Sequence, residues 1–421
     1  ISLYGAGCPP PPPHPLNSYL VKIVNMKKKN AIIVCRTFSK TGKKPWLFDD
    51  LSYGLISNGL SVLVLLFDIS GEWGKGVHQI NKDLKVVAFP VKSTTNLGKV
   101  FFHAVASFWL YFSALKACGG KKVDVMFTSS VFSLKCIFYA LDKIKPLSGY
   151  NVGFLWDFFP IHHEQIGFLS ARALAFKGLL KNIERFVISC QDCMCFMSDA
   201  NLKYFLRYHI GYAGKKSIVY LWSKNRDART GSKNLCESDY LHAVFGGQLT
   251  SGRGVEDILK AGKILNENKL KIKIHVYGAG DLANLVEAES LVNENVVYHG
   301  VKDRKDYLSD LKWYDIGLVV TVPDVNVPTF PSKVLDYFIS AIPVVASVEQ
   351  SSDFGDFVQY TAKAGIRCDV GSPVSLVDAL LKMKVNKERN YTVEMGRRGR
   401  IFFDNNMEVA GVVNKILEDT L

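Results

Sequence analysis

"VPTFPSKVLDYFISAIPVVAS", residues 327–347, reads as a loop, a short helix and a buried strand in that order. Pro328 and Pro331 forbid a regular helix before Ser332, because proline lacks the N–H that a helix interior needs. From Lys333 to Ser340 the apolar Val334, Leu335, Phe338 and Ile339 fall at helical spacing, and Ser332 is placed to cap that segment. Pro343 then ends the helix and starts a strand. Such a turn directs free backbone N–H groups and the positive end of a helix dipole toward whatever precedes Ser332, which suits an anion such as phosphate.

The pattern around this stretch is one of strand-like runs alternating with helical ones, the mark of parallel sheets wrapped by helices. On its amino side the runs are "HAVFGGQ" (242–248), "IKIHVYG" (272–278), "NVVYHG" (295–300) and "IGLVVTV" (316–322); "PVVAS" (343–347) and "AGIRCD" (364–369) continue the series. The first half repeats the theme at 31–35, 61–67, 86–89, 123–129, 151–156 and 193–198, and a polar stretch, 226–238, separates the two series. A chain of 421 residues exceeds one ordinary core of roughly 100 to 200 residues. Two doubly wound units in tandem are therefore expected, with a ligand cleft between the carboxyl ends of their strands.

Composition is that of a globular protein, 48% hydrophobic and 22% charged, but the net charge is +13. Excess lysine and arginine suits phosphorylated small molecules, an anionic membrane surface or nucleic acid. Nucleic acid is not expected, because neither a groove-reading helix nor an aromatic and basic platform is legible. Nine cysteines, several inside strand-like runs, read as reduced thiols. "CQDCMC" (190–195) lacks a second cysteine pair, so no metal is expected there. Residues 1–25, with "GCPPPPPHP", read as a non-native or disordered extension, with Met26 as the expected start. "VFFHAVASFWLYFSAL" (100–115) is shorter than the roughly 20 residues a membrane span needs, and reads as a buried or an interfacial helix.

Two glycine-rich turns follow strands of the second half. In "FGGQLTSGRGVEDIL" Gly247 and Gln248 lie where a backbone can approach a ligand at a helix start, with Arg253 facing it. Gly278 and Gly280 of "YGAGD" end the next strand in a tight turn. Taken in order, the glycine turn with its basic residue, the "GAG" turn, "HG" and the proline-rich loop before "PVVAS" resemble the nucleotide-sugar half of glycosyltransferase family 4, of GT-B fold. The segment "PSKVLDY" is similar to the members that build capsular, O-antigen and exopolysaccharides. That family pairs two glutamates eight positions apart; here the second position is Asp336 and the first is Pro328, which has no carboxylate.

The resemblance implies a fold class of α/β type, GT-B, with two Rossmann-like doubly wound domains. It implies an acceptor-binding domain at 26–225, a nucleotide-sugar-binding domain at 226–400, and a carboxyl-terminal helix at 401–421 packing back toward the first. It further implies a retaining transfer from a UDP- or GDP-linked sugar to a saccharide or lipid-diphosphate-linked acceptor. Asp336 is then expected to hold the ribose. Arg253 and Lys333, beside Ser332, would stabilise the leaving diphosphate, which needs no metal and no cofactor. In the first half, "LWDFFPIHHEQIGFL" (155–169) follows a strand and offers Asp157 or His162 to handle an acceptor hydroxyl, with His163 beside them. Gly42 and Lys43, after the first strand, are expected on the acceptor side. The expected setting is cytoplasmic, on the inner face of the plasma membrane. The rival expectations are a GT-B nucleotide-sugar epimerase and a homologue that binds nucleotide sugar without transferring it.

Overall fold

A computed structural model of the chain describes residues 29–42, 45–93, 95–165, 175–225 and 239–420. The polyproline stretch, Met26, Lys43 and the polar stretch 226–238 lie outside the described residues. The apolar runs of the first half form β1 (Asn30–Cys35), β2 (Ser61–Asp68), β4 (Leu84–Pro90), β5 (Val125–Ser129), β6 (Asn151–Leu155) and β7 (Cys193–Phe196). Two further strands, β3 (Gly76–Asn81) and β8 (Lys215–Ile218), complete one sheet in the order β3-β4-β2-β1-β5-β6-β7-β8. β1 shows why these runs are almost wholly apolar: Ile32 and Val34 point into one helix-covered core, Ile33 and Cys35 into another. Strands β3 and β8 escape the periodicity argument because they are edges, β3 antiparallel to β4 and mostly exposed, β8 opening on two exposed lysines.

The second half forms β9 (Leu241–Gly246), β10 (Ile272–Tyr277), β11 (Val296–Tyr298), β12 (Ile316–Val320), β13 (Val344–Ser347) and β14 (Gly365–Cys368). Their order is β11-β10-β9-β12-β13-β14, all parallel. Each sheet therefore reverses its winding at one point, between β1 and β5 in the first and between β9 and β12 in the second. Such points open a crevice at the carboxyl ends of the strands, and the two crevices face each other.

Two connections tie the units together. The loop after β12 sends Val325 and Val327 into the apolar core of the first unit. Its backbone is held there: the Asn201 amide donates to the Pro328 carbonyl at 2.8 Å, and the Gln165 side chain accepts from Asn326 N at 2.9 Å. The second connection is carboxyl-terminal. A boundary at residue 400 falls inside the continuous helix Tyr391–Asn406, because Gly399 does not break it; the absent side chain there lets the helix lie close to Phe338. The chain crosses over one turn later. Ser223 and Met407–Val409 exchange backbone hydrogen bonds of 3.1 Å, and helix Val409–Thr420 then packs on helix Leu47–Ser57, with Asp419 bonded to Lys215 and Ser217.

The apolar run of residues 100–115 lies within a longer helix, Asn96–Ala117, because the Thr95 side chain caps Gly98 N and adds a turn in front. By length and composition it is apolar enough to cross a membrane. In the fold it lies against the first sheet with Ala106, Leu110, Tyr111 and Ala114 buried, while Phe101, Val105, Phe108 and Phe112 remain exposed.

Candidate functional site

A cleft of about 880 Å³ lies between the carboxyl ends of the two sheets. The first sheet contributes Arg36, Trp156, Asp157 and His162; the second contributes Gly247, Gln248, Arg253, Gly278, Ser332, Lys333 and Asp336. Nine of the thirteen residues singled out from the sequence therefore share one cavity, those nine being Asp157, His162 and the seven from the second sheet. Gly42, His163 and Gly280 do not line it, and Lys43 lies outside the described residues.

On the second wall the two glycine turns are built against each other. A Cβ on Gly278 would stand 1.8 Å from the Gly247 carbonyl oxygen, and one on Gly280 would stand 2.2 Å from that of Leu249. These glycines are accordingly required by backbone packing, with Gly247 N donating to Tyr277 O at 3.0 Å and Leu249 N to Ala279 O at 2.9 Å. Gly247 faces the cleft for a different reason: a Cβ there would meet the Lys333 side chain at 2.6 Å. Arg253 is exposed into the cavity at the start of helix Val255–Glu267, whose cap residue is Gly254.

Ser332 does not cap the helix that follows it. Its own φ of −66° and ψ of −14° are already helical, and its side chain makes no capping bond, because the turn begins one residue earlier with Val334 N donating to the Pro331 carbonyl. Nor is Lys333 a solvated surface charge. Its ammonium sits 3.8 Å above the Phe245 ring, and burial, with Arg253 adding to it, pushes it down to about 7.

Asp336 reaches the cleft with its carboxylate already engaged. Arg304 donates to Oδ2 from Nη1 at 3.1 Å and to Oδ1 from Nη2 at 2.5 Å, a forked pair. Any ribose contact by Asp336 would therefore be made from an arginine-bound carboxylate. Arg304 was not singled out from the sequence, and neither was Glu349, the second carboxylate of this wall, only 1% exposed. Glu349 Oε2 accepts from Thr321 Oγ1 at 2.6 Å, and Oε1 accepts from Thr329 N at 2.8 Å and Oγ1 at 2.6 Å. It thus pins the bridging loop on both sides of Pro328. Pro328 itself is not among the lining residues. The sequence signal for Glu349 was its place two residues past the buried "PVVAS" strand, where a carboxylate must find partners.

On the first wall, Ser130 Oγ accepts from Trp156 N at 3.0 Å and Asp157 N at 3.2 Å, which fixes the loop after β6. His162 Nδ1 lies 3.6 Å from the half-exposed Asp157 carboxylate. Burial pushes the His162 ring down, and Asp157 opposes that shift. The same is true of His163, whose ring centre lies 5.8 Å from that of His162 and whose Nδ1 is buried without a hydrogen-bond partner. Gly42 sits in a left-handed turn at φ +68° with open space where a side chain would be. Arg36, directly after β1, was not singled out; it follows a strand as any basic surface residue could, and only the fold brings it to the cleft.

No family model matches the sequence, and no curated protein does. Solved structures do match. The chain is similar to sucrose-phosphate synthase from Thermosynechococcus elongatus, with a TM-score of 0.69 at 12% identity over 93% of this chain and 98% of that one. A trehalose-6-phosphate structure from E. coli, bound with UDP-2-fluoro glucose, gives 0.71 at 11% identity over 93% and 99%. A glycosyltransferase from Rickettsia africae gives 0.65 at 13% over 94% and 98%. At such identities the likeness is one of architecture: the fold of this chain is the two-domain α/β fold of the GT-B glycosyltransferases.

Proposed function

We propose that the cleft binds a nucleoside-diphosphate sugar against its second wall and transfers the sugar, with retention, to a saccharide acceptor held by the first. The observation that carries this reading is the half-buried ammonium of Lys333, set over the Phe245 ring beside Arg253 and the Gly247 turn, on the wall where a diphosphate would leave. In the reaction the bond from the anomeric carbon to the diphosphate oxygen breaks and its electron pair stays on the diphosphate. Lys333 and Arg253 stabilise that charge. The acceptor oxygen bonds to the same face of the anomeric carbon, and its proton passes to the leaving oxygen or to His162, which Asp157 orients. The UDP-sugar analogue held by the E. coli structure of the same fold supports a nucleotide-sugar donor.

The acceptor proposed is a lipid-linked saccharide of bacterial surface polysaccharide synthesis, as in the exopolysaccharide members of family 4, and the setting proposed is the cytoplasmic face of an anionic membrane. Support for the setting comes from helix Asn96–Ala117. Its exposed stripe is apolar, and the chain from Leu84 to Val123 carries Lys85, Lys92, Lys99, Lys116, Lys121 and Lys122 without one acidic residue.

A thermal-shift screen against UDP, GDP, ADP, CMP and their sugar conjugates tests the donor half. One nucleoside diphosphate should stabilise the protein, and Arg253→Ala and Lys333→Met should abolish the shift. Failure of every nucleotide to shift a well-folded wild-type chain would overturn donor binding.

A further inference from the structure

A second pocket opens beside the cleft, at the carboxyl ends of β1, β2 and β4, and shares Arg36 and Ile69 with it. Its other lining groups are Val91, Lys92, Ser93, Lys99 and His103. No acidic residue lines it. The carboxylate at the end of β2, Asp68, next to the lining residue Ile69, is held by its own loop: its oxygens accept from Ser70 Oγ and Gly71 N at 2.7 Å and from Trp73 N at 3.0 Å. Lys92 lies across the backbone of Gly71, whose φ is +70°; a Cβ there would stand 2.4 Å from the ammonium. Ser93 Oγ occupies the corresponding space at Gly98 in the first turn of helix Asn96–Ala117 and accepts from Thr95 N at 3.2 Å. Glycines at both places thus leave room for polar groups to gather at the mouth of the pocket.

Two observations mark this as a ligand site rather than a basic surface. His103 is 5% exposed, stacked on Phe67, and its Nδ1 is buried with no hydrogen-bond partner although the ring lines the pocket. Arg36 Nε is likewise buried without a partner, and neither Arg36, Lys92 nor Lys99 forms an ion pair among the described residues. A buried donor left unpaired costs free energy that an anionic oxygen would return. The 22-residue helix also points its amino terminus here.

We infer that this pocket holds a phosphate or diphosphate group of the acceptor, with Arg36 joining it to the cleft where the acceptor hydroxyl reacts. The inference rests on the transferase reading for its direction, since it makes the first wall the acceptor wall. The same phosphate chemistry is carried by a soluble sugar phosphate and by a polyprenyl-phosphate lipid.

The test is calorimetric titration of the full chain with inorganic pyrophosphate while the donor site is saturated with whichever nucleoside diphosphate the thermal screen identifies. Wild type should bind pyrophosphate, and the double variant Lys92→Ala/Lys99→Ala should lose at least tenfold in affinity while keeping its nucleotide affinity. Equal pyrophosphate binding by the double variant and wild type overturns the site, as does an absence of pyrophosphate binding in a wild type that still binds nucleotide. If no nucleotide binds, the donor reading fails on its own, and titration with pyrophosphate alone still decides the pocket by the same tenfold comparison. Two competition arms locate the source. Displacement of pyrophosphate by a hexose phosphate supports a soluble acceptor; displacement only by phosphatidylcholine vesicles containing a polyprenyl phosphate supports a lipid-linked one. Displacement by neither would overturn the acceptor assignment.

Discussion

The two walls of the cleft hold their polar groups in opposite ways. On the second wall the charged heads other than the exposed Arg253 are matched within the protein: Asp336 by Arg304, Glu349 by two threonines, and Lys333 by the Phe245 ring. Only Arg304 Nε there stays buried without a partner. The first wall leaves Arg36 Nε buried and unmatched and Asp157 half exposed, although its second acid, Asp50, accepts from Ser223 Oγ at 3.3 Å and Lys224 N at 2.9 Å; just off the cleft, His103 and His163 each keep an Nδ1 buried without a partner. A wall whose charges are already matched keeps its shape whether or not a ligand is bound, as a site for developing negative charge requires. One whose donors are unmatched gains its bonds from what it binds. The contrast fits the division proposed above, donor recognition by the second wall and acceptor recognition by the first.

Removing the pin of the second wall is the severest way to break the contrast. Glu349→Ala would leave Thr329 N and the hydroxyls of Thr321 and Thr329 without their acceptor in a buried loop. At about 1–3 kcal/mol for each unsatisfied group, a loss of roughly 3 kcal/mol or more in unfolding free energy is expected by denaturant titration. Glu349→Gln should lose about half as much, since its amide oxygen can still accept from Thr329. An unchanged midpoint for Glu349→Ala would mean that Asn201 and Gln165, reaching from the first unit, hold the loop by themselves.

Lys333 separates stability from function. Its folded value of about 7 lies below the ordinary lysine value of 10.5, so the charged form is disfavoured in the fold. The stability sign follows: stability falls as pH drops from 10.5 toward 7, where the unfolded chain takes up a proton that the folded chain resists. Lys333→Met should therefore leave the melting temperature at pH 7 unchanged or raised, while lowering turnover on the order of 100-fold through loss of one charge partner for the leaving group. Arg253→Ala should cost about tenfold. A Lys333→Met protein that melts lower and turns over normally would reverse the roles assigned to the two walls.

The second wall was also the more legible. Proline spacing in residues 327–347 and the glycines at 247 and 278 are local signals, because turns and helix starts impose residue types at fixed offsets. The alternation of apolar runs announced the parallel strands for the same reason, and failed at β3 and β8, where an edge strand with one face in water has no continuous apolar run to show. Arg304, Glu349, Arg36 and His103 were invisible as site residues. Each is an ordinary residue in an ordinary local pattern. What singles it out is a partner 20 or more positions away, or the lack of one, and only packing decides that. His103 is the sharpest instance, since in sequence it merely interrupts an apolar helix.

Acid should test the histidines of both units. In the second, His242 of β9, His275 of β10 and His299, directly after β11, form a ladder with ring nitrogens 2.9 Å apart at each step. Burial, followed by the two neighbouring rings and Lys273, pushes His275 down to about 3; Lys387 and Lys302 add to the depression of the outer rings, and Asp315 and Asp310 oppose it. His103 of the first unit is held at about 4 by burial and then by Arg36 and Lys135. Because these values lie below the unfolded value of 6.5, stability is fully present above 6.5 and is lost as pH falls toward 3, at no more than about 1.4 kcal/mol per pH unit for each ring. His275→Phe should flatten the slope measured by thermal melting from pH 6.5 to 4.5. A slope that stays with His275→Phe and disappears with His103→Phe would place the acid-sensitive element in the first unit. Pyrophosphate bound beside His103 would oppose that loss by stabilising the charged ring.

The smallest effect concerns helix Asn96–Ala117 of the first unit, and it asks whether the half proposed to hold the acceptor is also the half that meets a membrane. Phe101, Phe108 and Phe112 are 63%, 48% and 57% exposed on one stripe of helix Asn96–Ala117, with Lys99 at one end and Lys116 at the other. Lysines near an anionic surface contribute about 1 kcal/mol each, and a phenylalanine ring partly immersed in the headgroup region contributes a similar amount. Phe108→Ser should therefore weaken co-sedimentation with anionic vesicles several-fold and leave nucleotide affinity untouched, because the ring does not line the cleft. High salt should weaken what remains, since only the lysine contribution is screened. Binding that falls with salt but ignores Phe108→Ser would assign attachment to charge alone. Binding that ignores both would detach the membrane from the acceptor wall, and a soluble phosphorylated acceptor would then be the one the basic pocket serves.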